Sequence, residues 1–334
     1  MPTKIDLGRT MEDDMATLQT FIDERQMNWQ IVRENLRLLK NEYQNYRDDF
    51  ASCKRYRVLE PRRFLRCSTG LRKLYDQTPK CLDHINEFRR RASRTLSVCP
   101  YCGMPMARIT LDHYLPRDIR AFPHLSILSS NLVPACDACQ SSKGNSSPLL
   151  RRLVNKNERR RKTMRMRVKR TEIVRNSVNK RFESRFQRRV SRFLHPYFDD
   201  FVSDIIWKLN PSGNGDPLKT LKLVPVDIDP RKAALVRYQI DKLGLQARVN
   251  DEISRWVRFS VRVFQYKNVM TIADARTVAG LLLDAYWDKD LTPNGMACTF
   301  FRALREHTVV ADAVIGLATA AIPTRTMRSR AVKL

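Results

Sequence analysis

No helix of this 334-residue chain is expected to cross a bilayer: the longest apolar run, Val309 to Ile322, is interrupted by Asp312 and falls short of the ~20 residues a span needs. Acidic residues are scarce beside basic ones, 35 Asp and Glu against 62 Lys and Arg, for a formal charge of +27. That surplus opposes compactness unless a polyanion lies against it, and nucleic acid is the polyanion expected. Glycine and proline are missing from two long stretches, 11–50 and 151–192, which favours helix in both. A disulfide framework is missing too. Cys53, Cys67, Cys81 and Cys298 are scattered, and the start MPTKIDLGRTMEDD carries no secretory pattern. A reducing cytoplasm is therefore the expected compartment, with these four as ordinary buried or half-buried thiols. With 43% hydrophobic residues the chain can build cores, and its length suggests two or three domains.

The other four cysteines are patterned. Cys99/Cys102 and Cys136/Cys139 are two Cys-x-x-Cys pairs with 33 residues between them. Four soft sulfur ligands select a tetrahedral Zn²⁺ of structural type. The spacer exceeds the ~15–20 residues of a minimal zinc ribbon, so a further unit must fold inside the clamp. Arg108 to Leu111 reads as a strand running into Asp112-His113, Asn131 to Ala135 as a returning strand, and the residues after Cys139 as a helix limited by Pro148.

These segments, CPYCG, LDHYLP, NLVPAC and CDACQSSKG, in this order within about residues 96–147, resemble the four-cysteine branch of the HNH (ββα-metal) endonucleases. The resemblance implies a ββα-metal centre stapled by a Cys₄ zinc. It implies that Asp112 holds a catalytic Mg²⁺ or Mn²⁺, that His113 is the general base activating a water, and that Asn131 holds the strands and the base in position. An imidazole with a pKa near ~6.5 suits that role. Where the family has Asn or His as second metal ligand, this chain has Gln140, whose amide oxygen sits one methylene further out; Asn145 and Asp137 are the nearby substitutes. Lys143 is expected to neutralise a phosphate or to be solvated, Arg117 to contact nucleic acid, and His124 to lie at the surface.

The fold expected is mainly α with a small embedded α+β module. Residues 1–95 form a helical N-terminal region, with one long amphipathic helix over 11–50. Its seam (Met15, Leu18, Ile22, Trp29, Val32, Leu36, Leu39, Tyr43, Tyr46, Phe50) packs on the chain itself or on a second subunit. The nuclease module spans 96–150. Residues 151–193 form a basic helical arm, carrying 18 Lys or Arg against three Glu over 151–192. Its Arg159, Arg160, Arg161, Lys162, Arg165, Lys169 and Arg170 are expected to bind phosphates without reading bases. Residues 194–334 form a mainly helical C-terminal domain: His195 is structural, 221–228 suits one or two strands, Asp229-Pro230 starts a helix, and Trp256, Phe259, Phe264 and Tyr266 are core.

The function expected is metal-dependent hydrolysis of DNA phosphodiesters. The resemblance implies a microbial or phage defence or mobile-element setting, with a homodimer or an activating protein as candidate partners. The alternatives are a non-catalytic, zinc-stabilised nucleic-acid-binding protein and an RNA-directed nuclease.

Overall fold

A computed structural model describes residues 8–24, 29–51, 64–78, 80–106, 108–118, 122–144, 192–226 and 228–320. The basic arm's Arg159, Arg160, Arg161, Lys162, Arg165, Lys169 and Arg170 lie outside these residues, as do Cys53 and Asn145. The described chain is mainly helical, with two small antiparallel strand pairs and a four-cysteine cluster.

The single helix expected over 11–50 is three: α1 (Met11–Glu24), α2 (Gln30–Glu34) and α3 (Leu36–Ala51). α1 and α3 pack against each other. A straight rod would hold the two halves of the seam far apart, whereas folding back sends Leu18, Ile22, Val32 and Leu39 into one buried cluster. Burying four such side chains is worth several kcal/mol. The seam is thus covered from within the chain.

Two further helices, α4 (Leu65–Gln77) and α5 (Asp83–Thr95), complete the N-terminal layer, with the break at Thr78 in the left-handed region. Then come β1 (Thr110–His113), β2 (Leu132–Ala135) and α6 (Asp137–Lys143), so strand, loop, strand and helix follow one another as the sequence suggested. The two strands pair Leu111 with Pro134, Asp112 with Val133 and His113 with Leu132.

Because side chains alternate across a strand, this pair serves two cores. Leu111 and Leu132 join the N-terminal cluster. Val133 and Ala135 join a second cluster with Cys99, Cys102, Cys139 and the C-terminal layer.

That layer opens with a hairpin, β3 (Trp207–Pro211) and β4 (Leu221–Pro225), the second strand lying within the 221–228 stretch expected to be extended. Five helices follow: α7 (Pro230–Lys242), α8 (Leu245–Lys267), α9 (Ile272–Asp290), α10 (Met296–Glu306) and α11 (Thr308–Ala320). Asp229 caps α7 through Oδ1, which accepts from the amides of Arg231 at 2.8 Å and Lys232 at 3.3 Å. α10 is buried from Met296 to Leu304, and its first amide bonds the Gly103 carbonyl at 2.8 Å. Trp256 and Phe264 are core and Phe259 packs against it, but Tyr266, expected with them, is 83% exposed near the end of α8. No helix among the described residues is long and apolar enough to cross a membrane.

Candidate metal centre and candidate catalytic site

The first knuckle is a tight turn. The Gly103 amide bonds the Cys99 carbonyl at 2.7 Å, with Gly103 at φ 65°, a conformation glycine adopts without strain. In the second knuckle Cys136 precedes α6 and Cys139 lies in its first turn. The β1–β2 pair delivers the second knuckle to the first: the Cys136 amide reaches Cys99 Sγ at 3.4 Å, and Cys102 and Cys136 Sγ are 3.8 Å apart. All four sulfurs lie within 4.8 Å of one another. A tetrahedron with Zn–S near ~2.3 Å has an edge of about 3.8 Å. The cluster can hold a metal such as zinc. Among the stray thiols, Cys67 and Cys298 are buried and Cys81 is half-buried, as expected.

One residue at this cluster carries no local signal in the sequence. Arg248 of α8 points its guanidinium at the sulfurs, Nη1 at 3.2 Å from Cys139 and Nη2 at 3.3 Å from Cys102 and 3.5 Å from Cys136. It is one of 62 basic residues and its nearest sulfur partner is over a hundred positions away.

At the end of β1 Asp112 and His113 turn to opposite faces of the strand, as consecutive residues do. Asp112, 5% exposed, faces the first knuckle: its Oδ2 accepts from the Tyr101 hydroxyl at 3.0 Å and meets Lys143 Nζ at 2.9 Å. Burial pushes its carboxyl above the usual range, with the Lys143 ammonium pulling the other way. Oδ1 has no hydrogen bond among the described residues.

His113, 8% exposed, faces α4, with the Tyr75 ring edge-on at 4.4 Å. Its Nε2 lies 3.0 Å from the Ser126 carbonyl, which can only accept, so Nε2 carries the proton and Nδ1 the lone pair. Burial lowers its pKa to about 3, well below the ~6.5 expected of the base, so the ring is neutral but a weaker proton acceptor than expected.

Asn131 is fully buried and uses its whole amide. Oδ1 accepts from the Leu115 amide at 2.8 Å and the Tyr46 hydroxyl at 3.1 Å, and Nδ2 donates to the Leu115 and Leu125 carbonyls at 3.1 Å each. It ties both ends of the β1–β2 loop. Behind it stands His195, also fully buried. The Tyr197 amide donates to its Nδ1 at 3.3 Å, so Nε2 donates to the Tyr46 hydroxyl at 2.9 Å, and that hydroxyl is free to donate to Asn131. His195 is thus buried in the hydrogen-bonded network behind the loop. Tyr46 was legible as a seam residue, and a buried tyrosine needs a partner for its hydroxyl; which partner was not legible.

Lys143 and His124 are more deeply buried than expected, and Arg117 and Gln140 have partners within the chain. Lys143 is not solvated: it is 1% exposed, paired with Asp112 and bonded to the His113 carbonyl at 2.7 Å. The short helix α6 folds back along β1, so its last side chain is captured by the strand. His124, expected at the surface, is 2% exposed because the 3₁₀ turn 123–125 tucks it against the Phe64 ring at 4.3 Å. Arg117 bonds Asp76 at 2.6 Å and covers the Tyr75 ring. Gln140 Oε1 accepts from the Thr110 hydroxyl at 2.8 Å, and Asp137, the other candidate ligand, is exposed at the start of α6.

β1 thus carries a carboxylate on the face toward the tetrathiol cluster and a neutral imidazole on the opposite face, with a loop-tying amide just before β2, in a chain with a large positive charge. Compared with protein-family models, with curated proteins and with solved structures, the chain matches none of them.

Proposed function

We propose that the chain is a metal-dependent endonuclease of HNH type acting on DNA. The observation that carries this reading is His113: a neutral imidazole, fixed through Nε2 by the Ser126 carbonyl, with the Nδ1 lone pair left to take a proton, next in sequence to the Asp112 carboxylate. Nδ1 would accept the proton of a water attacking phosphorus. Asn131 keeps the loop that carries Ser126 at its distance from β1, so the base keeps its orientation.

The donors suit a hard divalent cation. Asp112 offers Oδ1, and Gln140 Oε1 keeps a second lone pair beside the Thr110 hydroxyl. A Mg²⁺ or Mn²⁺ held by these two residues would stabilise charge on the leaving oxygen. The net charge of +27 supplies affinity for phosphates.

A second reading, a non-catalytic nucleic-acid-binding protein built on a zinc scaffold, draws on the engagement of Asp112 Oδ2 by Lys143 and of Gln140 by Thr110, and on the depth of the Asp-His pair. Cleavage of supercoiled plasmid with Mg²⁺ or Mn²⁺ separates the two, run with wild type, His113→Ala and Gln140→Asn. The nuclease reading expects wild type to cut and His113→Ala to lose ~10²-fold or more in rate. Binding without cutting by all three, with either metal, favours the scaffold. An RNA competitor in the same assay distinguishes the substrate class.

A further inference from the structure

Arg248 has only N–H groups to offer, so each sulfur it touches must accept. A neutral thiol is a poor acceptor and a thiolate a good one. Three sulfurs converge on this one guanidinium at 3.2–3.5 Å, and the fourth, that of Cys99, receives the Cys136 amide at 3.4 Å. Every sulfur of the cluster therefore has an N–H donor. Among the described residues no carboxylate pairs with Arg248, and the sulfurs are the groups its guanidinium faces.

The charges fit a metal bound by thiolates alone. Four thiolates around a divalent ion leave two negative charges in a core, and such charge is costly to bury without compensation. A guanidinium removes half of it.

Arg248 is also held in place. It lies in the first turn of α8 between the buried Leu245 and Val249, which share a core with Cys99, Cys102 and Cys139. Two positions earlier Gln246 bonds the Leu221 carbonyl at 3.0 Å and accepts from the Leu223 amide at 2.8 Å, fixing the helix start to β4.

We infer that Arg248 is an outer partner of a tetrathiolate-bound divalent metal ion, and that filling the cysteine clamp seats α8, and with it the C-terminal helices, against the module that carries Asp112 and His113. Affinity for a soft divalent ion then depends on a residue outside the clamp, and the packing of α8 depends on the ion. This does not rest on cleavage.

The test uses the full-length chain. Zinc affinity is measured by competition with a chromophoric chelator for wild type, Arg248→Met and Arg248→Lys, and hydrogen exchange of the α8 amides is followed with zinc bound and removed. Loss of an outer-shell donor to a metal ligand costs 10–100-fold in affinity, so Arg248→Met is expected to bind zinc weaker by about that factor. Arg248→Lys, a point charge without the fork, is expected to fall between. In wild type the first turns of α8 are expected to lose protection when zinc is removed; in Arg248→Met they should be poorly protected even with zinc bound. Unchanged zinc affinity in a folded Arg248→Met, or α8 protection indifferent to zinc in wild type, overturns the inference. A wild-type chain that retains no zinc overturns it as well. Should circular dichroism find Arg248→Met unfolded, Arg248→Lys decides, and wild-type affinity in that variant counts against the inference. None of these readouts involves nuclease activity, so the two proposals fail separately.

Discussion

The Lys143 ammonium and the Asp112 carboxylate meet at 2.9 Å with both side chains buried. Removing one partner of such a pair leaves the other charge in the core, at a cost of about 3–5 kcal/mol. Lys143→Met is expected to lose that much in urea denaturation, and the double variant Lys143→Met, Asp112→Asn to lose clearly less than the two single losses added. Additive losses would mean that the charges do not compensate each other.

Acid should destabilise the fold through histidines buried in neutral form. Burial lowers the pKa of His84 to about 4, with Arg9 acting in the same direction, and that of His124 to about 3; burial, with Arg192, holds His195 well below its usual value. The unfolded chain takes up these protons near pH ~6.5, whereas the folded chain resists until much lower pH. The stabilisation is therefore complete above about pH 6.5 and is lost as pH falls toward about 4, by about 1.4 kcal/mol per pH unit for each histidine. Urea midpoints across this range should fall steeply. A flat profile would show that these rings are not held neutral.

Asn131 is expected to matter more than its size suggests. Asn131→Asp keeps the shape but loses both donations, to the Leu115 and Leu125 carbonyls, and adds a buried charge. A loss of at least about 2 kcal/mol follows. Tyr46→Phe removes one hydroxyl between His195 and Asn131 and should cost about 1 kcal/mol. If the first cost were as small as the second, the loop would not depend on the amide.

Metal removal should be readable in thiol chemistry. The cluster holds four of the chain's eight cysteines. A strong chelator is expected to raise the number of thiols reacting with a disulfide reagent by those four. It should also destabilise the chain by about 4 kcal/mol, the contribution of a ligand present at 1,000 times its dissociation constant, and added zinc should reverse both effects. Identical thiol counts with and without chelator would mean that the cluster carries no metal.

Features governed by a few adjacent residues were legible in the sequence. Cys-x-x-Cys spacing, the strand–loop–strand–helix order after it, and the Asp229-Pro230 helix start are decided by short-range geometry, and all stand in the structure within a few residues of their expected bounds. The break in the 11–50 seam was less legible, because a 3–4 periodicity is the same for one straight helix as for two that fold back on each other.

What the sequence alone determined was the type of chemistry available: four sulfurs for one ion, a carboxylate beside an imidazole, and a charge suited to a polyanion. What only the tertiary structure decided was the partner of each group. Arg248 reaches the sulfurs from a helix 109 residues beyond Cys139, Lys143 turns inward to Asp112, and His124 goes from an expected surface loop into the core. A long basic side chain has the same local pattern whether its charge ends in solvent or in a core. The counter-charge that chooses between the two is brought up by packing from distant parts of the chain.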